Sequence, residues 1–424
     1  MTRPDRTMTV AAAQWVAVTV IASVLHFARL PSIAYDTMYA EDGGTFVQGT
    51  FTGDHWLTPY AGYMHAIPRM IASAVTSWLP ISWWAWGVGI GAALTVGAIS
   101  GLAFVVSRQL GATVPVSIAA AAFPVLVPVA GIESLANISN LHSFMPYGIV
   151  FALLAVPRHW LARVGLAVAT AAMVATEIQA LLLAPLAAVL LWRSPRMRWP
   201  AVLGYALGAA TQVIAYFTSA RDVSVGETPP IAVVRGFLFD VVLGSVMGRT
   251  GIAQRIVVDV GWWVPLAMLV VWLLIFTYVL RHHRARLALA WYLVAAAAAS
   301  WAMSQTLNNF AAVDFIDGPF KLVRWGTLPA LLYCGTVLIV AGTLIEQTSG
   351  RWRTLVHGAL AALLAIQVIS FQVPSDRTGV FWSTEIDRAA QVCTKPVAHD
   401  TVTIPILPGD WATELPCEAV TAPR

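Results

Sequence analysis

The chain has 424 residues, of which 58% are hydrophobic and only 11% are charged, and its mean hydropathy is +0.73. Soluble globular domains carry about 25% charged residues, so this composition excludes a soluble enzyme or a soluble binding module. The formal net charge of +4 is small for this length and is spread along the chain, which gives no indication of a nucleic-acid partner.

Apolar stretches that end in short arginine-containing turns recur from the N-terminus onward. A helix needs about 20 apolar residues to cross a bilayer, so this pattern predicts an all-α integral membrane bundle of about 11 transmembrane helices. The first stretch is long for the apolar region of a cleavable signal peptide, which favours a retained span. The predicted spans are 8–30, 82–107, 112–130, 139–156, 160–176, 177–192, 199–219, 262–280, 286–304, 322–346 and 351–372.

Basic residues are unevenly divided between the two sets of loops, and this predicts the orientation of the chain. Thirteen of the 25 lysine and arginine residues lie in short loops of one set. Basic residues in short loops mark the cytoplasmic side. We therefore expect a multi-pass protein of an inner or plasma membrane, with its N-terminus in the cytoplasm and its C-terminus outside. The thirteen residues are Arg3, Arg6, Arg108, Arg158, Arg163, Arg193, Arg196, Arg198, Arg281, Arg284, Arg286, Arg351 and Arg353.

Two outer loops are too long to be simple connections. The first covers residues 31–80, and its second half, Met64 to Trp78, is amphipathic, which predicts a helix lying along the membrane interface. The second covers residues 221–261, where Arg235 and Asp240 interrupt a half-apolar stretch. Charged residues are costly within the bilayer, so an interfacial or re-entrant helix is favoured there over a full crossing.

The polar C-terminal segment, residues 373–424, predicts a small outer cap on a transmembrane domain of residues 1–372. Its stretch TVTIPI, residues 401–406, alternates between polar and apolar side chains, as a short β-strand does. Cys393 and Cys417 both lie in this segment. In an oxidising compartment we expect a disulfide between them, and two free thiols are the alternative.

The first candidate for chemistry is the acidic pair Glu41 and Asp42, in the stretch YAEDGGTF of the first outer loop. Two adjacent carboxylates just beyond a span are poorly placed for packing, but they are well placed to act as a general base. Gly43 and Gly44 follow directly, and they would let a bulky substrate approach the backbone closely. A solvated acidic turn is the alternative. The sequence contains no P-loop, serine-hydrolase or zinc-protease motif.

A polytopic bundle with this acidic pair in a long first outer loop, followed by an interfacial helix, resembles the GT-C superfamily of membrane glycosyltransferases. The resemblance implies inverting transfer of a sugar from a polyprenyl-phosphate carrier, on the non-cytoplasmic face, to a glycolipid or cell-envelope polysaccharide acceptor. It also implies that Glu41 or Asp42 is the base. The large soluble C-terminal domain of that family is reduced here to about 50 residues.

Lys321 and Arg324, at the outer end of the tenth predicted span, form a second candidate site. Residues three apart share one face of a helix, so the two cations are expected to bind the phosphate of the lipid carrier, with Arg69 as a third ligand. Cations could thus serve the leaving group without a cofactor or metal, although the paired acids also suit a divalent cation. Snorkelling at the interface is the alternative, or pairing with Asp314 and Asp317.

A third polar run, GIESLANISNLHSFMPYG, lies between the third and fourth predicted spans. Polar groups near membrane depth are costly and tend to be functional or mutually hydrogen-bonded, and a helix cap with interhelical hydrogen bonds is the alternative. Glu177 is expected in the same cavity, or else as a simple turn residue. The residues predicted to line the acceptor side of the cavity are Asp54, His55, Tyr60, Glu133, Asn140, His142 and Glu177.

Two other functional classes stay open from the sequence. A transporter or flippase of a lipid-linked substrate would show inverted repeats, broken spans and charges at the bilayer midplane. No repeat is evident, and the predicted spans are nearly free of charge in their middle. A non-catalytic subunit of envelope assembly is the third class, in which Glu41 and Asp42 would have no catalytic role.

Overall fold

A computed structural model describes residues 6–131, 133–219, 228–308, 320–372, 377–395 and 400–422 of the protein. These residues are mostly helical, with one two-stranded sheet near the C-terminus. The α-helices are α1 Arg6–Ala28, α2 Ala66–Trp78, α3 Trp84–Gln109, α4 Val114–Leu126, α5 Met145–Leu154, α6 Trp160–Val174, α7 Ala184–Arg193, α8 Pro195–Thr218, α9 Pro230–Gly236, α10 Thr250–Arg255, α11 Trp263–Leu280, α12 Arg284–Asn308, α13 Thr327–Gln347, α14 Gly350–Ile369, α15 Trp382–Cys393 and α16 Cys417–Thr421.

Seven stretches within the described residues are long and apolar enough to cross a membrane, so the protein is a helical, membrane-embedded protein. They are Val10–Ala28, Ile81–Gln109, Arg196–Thr218, Trp263–Leu280, Arg284–Leu307, Arg324–Gln347 and Gly350–Ile369. The other four predicted spans coincide with the shorter helices α4, α5, α6 and α7. All eleven apolar stretches are thus at least partly helical, and eleven complete crossings stay a prediction.

Helix α13 lies at the centre of the bundle, whereas α14 lies at its periphery. In the most apolar part of α13, 72% of the residues are buried inside the protein, whereas in that of α14 only 11% are buried. Helix α1 packs closely on α3, where a Cβ atom at Gly97 would overlap with Ser23 and one at Gly101 would lie 2.6 Å from Thr19 Oγ1. Small residues spaced by four let two transmembrane helices approach in this way.

Several of the basic turns contact one another at one end of the bundle. Arg286 makes a bidentate ion pair with Glu346, at 2.6 and 2.9 Å, which joins the start of α12 to the end of α13. Arg198 donates a hydrogen bond from Nη1 to the carbonyl of Ala155, 2.8 Å away, and so ties α8 to the end of α5. These contacts join α12 to α13 and α8 to α5 near the ends at which the basic turns lie.

Both of the long loops that were predicted to lie outside contain the predicted helices. Helix α2 confirms the helix predicted at Met64 to Trp78. In the second loop, α9 continues into a π-helical turn, Phe237–Leu243, of which all but the first residue are buried. The carboxylate of Asp240 accepts a hydrogen bond from the backbone N–H of Val323, at 2.6 Å, so this segment packs against the chain that leads into α13. Where both helices lie relative to a bilayer stays a prediction.

The described part of the C-terminal segment folds into a small cap, formed by residues 377–395 and 400–422. The predicted strand is confirmed as β1, Thr401–Pro405, which pairs antiparallel with β2, Ala412–Pro416. The predicted disulfide between Cys393 and Cys417 is also confirmed, and it joins the end of α15 to the start of α16.

Candidate functional site

The cap holds the backbone that leads into the acidic pair. Tyr39 forms a parallel β-bridge with Leu407. In this bridge the N–H of Ala40 donates to the carbonyl of Leu407, and the N–H of Leu407 donates to the carbonyl of Met38, 3.0 Å away. Ala40 has a φ of +46°, which is unfavourable for a residue with a side chain. The surrounding contacts hold this strained turn, and Glu41 follows it directly.

Gly43 and Gly44 were predicted to let a substrate approach the backbone, and this prediction is wrong. The residues that pack against the two glycines belong to the cap. A Cβ atom at Gly43 would lie 2.7 Å from the side chain of Ile406, and one at Gly44 would lie 2.9 Å from the carbonyl oxygen of Ala412. The hydroxyl of Thr413 also donates to the carbonyl of Gly43, at 3.1 Å. The space beside the two glycines is therefore filled by cap residues at the end of β1 and the start of β2.

The two carboxylates of the pair have different surroundings. Asp42 is 1% exposed, and its oxygens accept hydrogen bonds from the backbone N–H groups of Ile138, at 3.1 Å, and Ser139, at 2.9 Å. Burial raises the pKa of Asp42 to about 7, against the opposing effect of the Ser139 hydrogen bond and the nearby charge of Arg377. Glu41 is only partly buried and faces a cavity.

This cavity has a volume of about 710 Å³, and several of the other candidate residues line it. Glu41, Tyr60, Asn140, His142, Glu177 and Arg324 are the predicted residues that line it. The further polar residues that line it are Tyr63, His65, Ser139, Gln179, Tyr216 and Ser304. Its main apolar lining comes from Ile178, Leu181, Leu182, Val213, Phe217, Met303 and Leu307.

A 3₁₀ helix, Ser139–Phe144, connects the two carboxylates that line the cavity. Residues three apart lie on the same side of a 3₁₀ helix, which places Ser139 and His142 together. The hydroxyl of Ser139 lies 3.5 Å from Glu41 Oε2, and Nδ1 of His142 lies 2.5 Å from Glu177 Oε2. Glu177 also accepts a hydrogen bond from the backbone N–H of Gln179, at 2.7 Å. Glu177 is therefore both a turn residue and a cavity carboxylate.

Arg324 lies between two carboxylates, just before the start of α13. Its Nη1 is 3.1 Å from Oε2 of Glu133, and its Nη2 is 3.9 Å from Oε1 of Glu41. Glu133 has a φ of +56°, and its carbonyl accepts hydrogen bonds from Asn140, at 3.2 Å, and from Arg377, at 3.1 Å. A guanidinium flanked in this way holds a positive charge beside Glu41 at the cavity wall.

Lys321 does not share a helical face with Arg324, contrary to the prediction. Residues 320–323 are not helical, because the hydrogen bond from Val323 to Asp240 holds them extended before the helix begins at Arg324. Lys321 is exposed and is not among the described residues that line the cavity. Asp314 and Asp317, predicted as alternative partners, lie outside the described residues.

Arg69 and Asp54 pair with each other instead of facing the cavity. Nη1 of Arg69 lies 2.7 Å from Oδ2 of Asp54, and the guanidinium of Arg69 also lies 5.6 Å from the ring centre of Phe46. His55 is exposed, and its Nδ1 accepts the backbone N–H of Leu57 at 3.2 Å. These three predicted site residues therefore stabilise the first outer loop, and within the described chain none of them lines the cavity.

His65 is one of the cavity residues that the sequence did not indicate. It lines the cavity but is only 3% exposed, and neither of its ring nitrogens has a hydrogen-bond partner among the described residues. Burial, together with the nearby His142 and Arg69, lowers the pKa of His65 well below its usual value. A histidine just before an amphipathic helix gives no distinct sequence signal, although Tyr60 and Tyr63 precede it closely.

Among the described residues, no group of three or more histidine, cysteine, aspartate and glutamate side chains converges on a possible metal position. Fold and site together define a class, a helical membrane-embedded protein with a cavity that is partly polar and partly apolar. Comparisons with protein-family models, with curated proteins and with solved structures find no match for this chain.

Proposed function

We propose that this protein is an inverting membrane glycosyltransferase of the GT-C type, which uses a polyprenyl-phosphate-linked sugar. One observation carries the proposal. A carboxylate, Glu41, and a guanidinium, Arg324, face the same cavity with their nearest atoms 3.9 Å apart. Transfer of a sugar from a phosphate to a hydroxyl needs a proton acceptor and a positive charge for the leaving group.

Glu41 is the base in this proposal, rather than Asp42. Asp42 is buried, and both of its oxygens accept backbone hydrogen bonds, so a substrate hydroxyl cannot reach them without breaking this anchor. Glu41 lines the cavity, and its carboxylate is within reach of Ser139 and Arg324. Asp42 then acts as a positioning residue, since it fixes the loop that carries Glu41 to the turn at residues 138–139.

The proposed reaction transfers one glycosyl group and one proton. Glu41 takes the proton of the acceptor hydroxyl while the acceptor oxygen forms a bond to the anomeric carbon of the donor sugar. The bond between this carbon and the phosphate oxygen breaks, and its electron pair leaves with the polyprenyl phosphate. Arg324 stabilises the negative charge on the phosphate, which is the electrostatic contribution that usually matters most.

The apolar part of the cavity suits the hydrocarbon chain of the donor. Val213 and Phe217 of α8 and Leu307 of α12 line the cavity and are also exposed on the surface of the protein, Phe217 by 79%. Both helices belong to stretches that are apolar enough to cross a membrane. An apolar opening between two such helices lets a lipid enter from the bilayer while its head group reaches Arg324.

The proposal places the cavity on the non-cytoplasmic face of an inner or plasma membrane, with the N-terminus in the cytoplasm and the C-terminus outside. The disulfide of the cap supports this orientation, because disulfides persist in oxidising compartments. The acceptor is then a glycolipid or an envelope polysaccharide, which reaches the cavity from the same side.

The test is sugar transfer by the purified full chain in proteoliposomes, with a panel of polyprenyl-phosphate pentoses and hexoses and a membrane lipid extract as the source of acceptor. Release of polyprenyl phosphate is measured. Glu41→Gln should lower turnover by about 10²- to 10⁴-fold, the usual contribution of a general base. Glu414→Gln, at an exposed position of β2 in the cap, is the matched control and should retain parental turnover. Parental turnover of Glu41→Gln would refute the assignment of the base.

A further inference from the structure

His65 is a buried polar side chain that lines the cavity. It is 3% exposed, and both Nδ1 and Nε2 lack a hydrogen-bond partner among the residues that the structure describes. Burying an imidazole without a partner costs free energy, because its hydrogen bonds to water are lost and not replaced. A residue that lowers stability in this way and also lines a cavity is expected to find its partner in a ligand.

The surroundings of His65 limit what that ligand is. Its ring centroid lies 4.1 Å from that of Tyr63 and 6.1 Å from that of His142, and all three residues line the cavity. Burial holds His65 neutral by lowering its pKa, and a neutral imidazole offers one donor and one acceptor. Nδ1 of the neighbouring His142 lies 2.5 Å from Oε2 of Glu177.

We propose that His65, Tyr63 and His142 form a subsite for a neutral, polyhydroxylated ligand, the sugar ring of the acceptor. A hydroxyl group both donates and accepts, and so matches a neutral imidazole, whereas a carboxylate only accepts and an ammonium group only donates. The flat ring of Tyr63 offers an apolar surface for the C–H face of a sugar. The carboxylate of Glu177 repels an anionic ligand. The inference rests on the proposed function, because only the proposed transfer reaction gives this protein a carbohydrate acceptor.

Binding of soluble probes tests the subsite without any transfer reaction. The full chain is purified in a detergent without a sugar head group, and saturation-transfer NMR is recorded with methyl hexopyranosides and with methyl glucuronide. Neutral glycosides should bind more tightly than the glucuronide. His65→Phe should weaken their binding roughly five- to tenfold through loss of the imidazole hydrogen bonds. Its melting temperature should equal or exceed that of the parent, since phenylalanine leaves no unpaired nitrogen.

His26→Phe is the matched control. His26 is also fully buried, with no hydrogen-bond partner for either ring nitrogen among the described residues, but it lies in α1 and does not line this cavity. This variant should bind the glycosides as the parent does.

Parental glycoside affinity of His65→Phe would overturn the subsite, because the imidazole would then bind only water. Equal or tighter binding of the glucuronide, or no glycoside binding by the parent, would also overturn it. Either result leaves the test of Glu41 unaffected. Conversely, glycoside binding that depends on His65, in a protein for which Glu41→Gln has no effect on transfer, would support the subsite and refute the proposed chemistry.

Discussion

Glu41 and Asp42 are adjacent in the chain, yet one carboxylate faces the cavity and the other is enclosed by the backbone of residues 138 and 139. The two carboxylates point in different directions. That of Asp42 points into the protein, where the N–H groups of residues 138 and 139 need an acceptor. An unpaired buried N–H group costs about 1–3 kcal/mol, so Asp42 couples the first outer loop to the segment that carries His142. The pair thus combines an anchor with a group that remains available for chemistry.

Arg324 is also shared, since Glu133 lies 3.1 Å and Glu41 3.9 Å from its guanidinium. A donor phosphate that binds Arg324 must compete with the carboxylate of Glu133. In the proposed reaction the same guanidinium therefore lies within reach of both the donor phosphate and Glu41.

At the residue scale we predict that Arg324→Ala raises the apparent KM for the polyprenyl-phosphate donor by roughly 10- to 100-fold. A hydrogen bond to a charged group contributes about 1.5–3 kcal/mol, and 1.36 kcal/mol corresponds to a factor of ten. Lys321→Ala is the control, because Lys321 is exposed and outside the lining that the structure describes, and its KM should stay within about twofold. The measurement is donor-dependent release of polyprenyl phosphate. Equal effects of the two changes would mean that phosphate is bound outside the cavity.

At the scale of elements, a short helix makes the site possible. The span predicted at 139–156 is divided in the structure into the 3₁₀ helix Ser139–Phe144 and helix α5. Nine of the ten residues of α5 are buried, and the helix ends before Pro157. Because the 3₁₀ part eclipses residues three apart, Ser139 and His142 both reach the cavity. In an α-helix the same two side chains would be turned by about 60° relative to each other.

The cap is the second element on which the site depends. Its strands fill the space beside Gly43 and Gly44, and Leu407 bonds to the backbone on both sides of Tyr39. At its other end, the hydroxyl of Ser383 donates to the carboxylate of Asp36 at 2.5 Å. The cap therefore clamps the segment from Asp36 to Gly44, which contains Glu41.

At this scale we predict that the double change Cys393→Ser and Cys417→Ser lowers both stability and turnover. The disulfide closes a loop of 24 residues, and loss of such a bond typically costs about 2–4 kcal/mol. Since the cap positions Glu41 while Arg324 lies outside it, kcat should fall more than the donor KM rises. Melting temperature and steady-state kinetics are the measurements, and reductant should act on the parent but not on the double variant. Unchanged kcat after reduction would show that the loop keeps its shape without the closed cap.

At the scale of the whole molecule, two kinds of polar residue are separated along the helices. Turns rich in arginine contact one another through pairs such as Arg286 with Glu346. The carboxylates Glu41 and Glu177 instead meet around the cavity, close to the disulfide-bonded cap. Basic residues of short loops remain in the cytoplasm, so this separation predicts the cavity on the opposite side of the membrane.

We therefore predict that a thiol reagent that does not cross membranes labels Asp410→Cys, but not Ala285→Cys, in intact cells. Both positions are exposed, one in the cap and the other in the first turn of α12, whereas the native free thiol, Cys334, is buried. Permeabilised cells provide the control, since both variants should then be labelled. Labelling of Ala285→Cys in intact cells would reverse the orientation and would remove the non-cytoplasmic donor from the proposal.

The class of the protein and several of its elements could be predicted from the amino-acid sequence. Apolar stretches of membrane-spanning length cannot form a soluble core, and their composition alone predicts a helical membrane bundle. The alternating TVTIPI stretch and the two cysteines of the tail were also sufficient to predict the strand and the disulfide of the cap. These features depend on local patterns of hydrophobicity or on a few residues close together in the chain.

Which polar residues share a site could be seen only in the folded structure. Glu41, His142, Glu177 and Arg324 come from four separate segments, and their convergence depends on how helices pack, which no local pattern encodes. In the same packing Arg69 forms an ion pair with Asp54 and does not line the described cavity. This packing also brought His65 to the cavity wall, where neither ring nitrogen has a hydrogen-bond partner among the residues that the structure describes. The residue types were thus evident from the sequence, but their roles were set by contacts between distant parts of the chain.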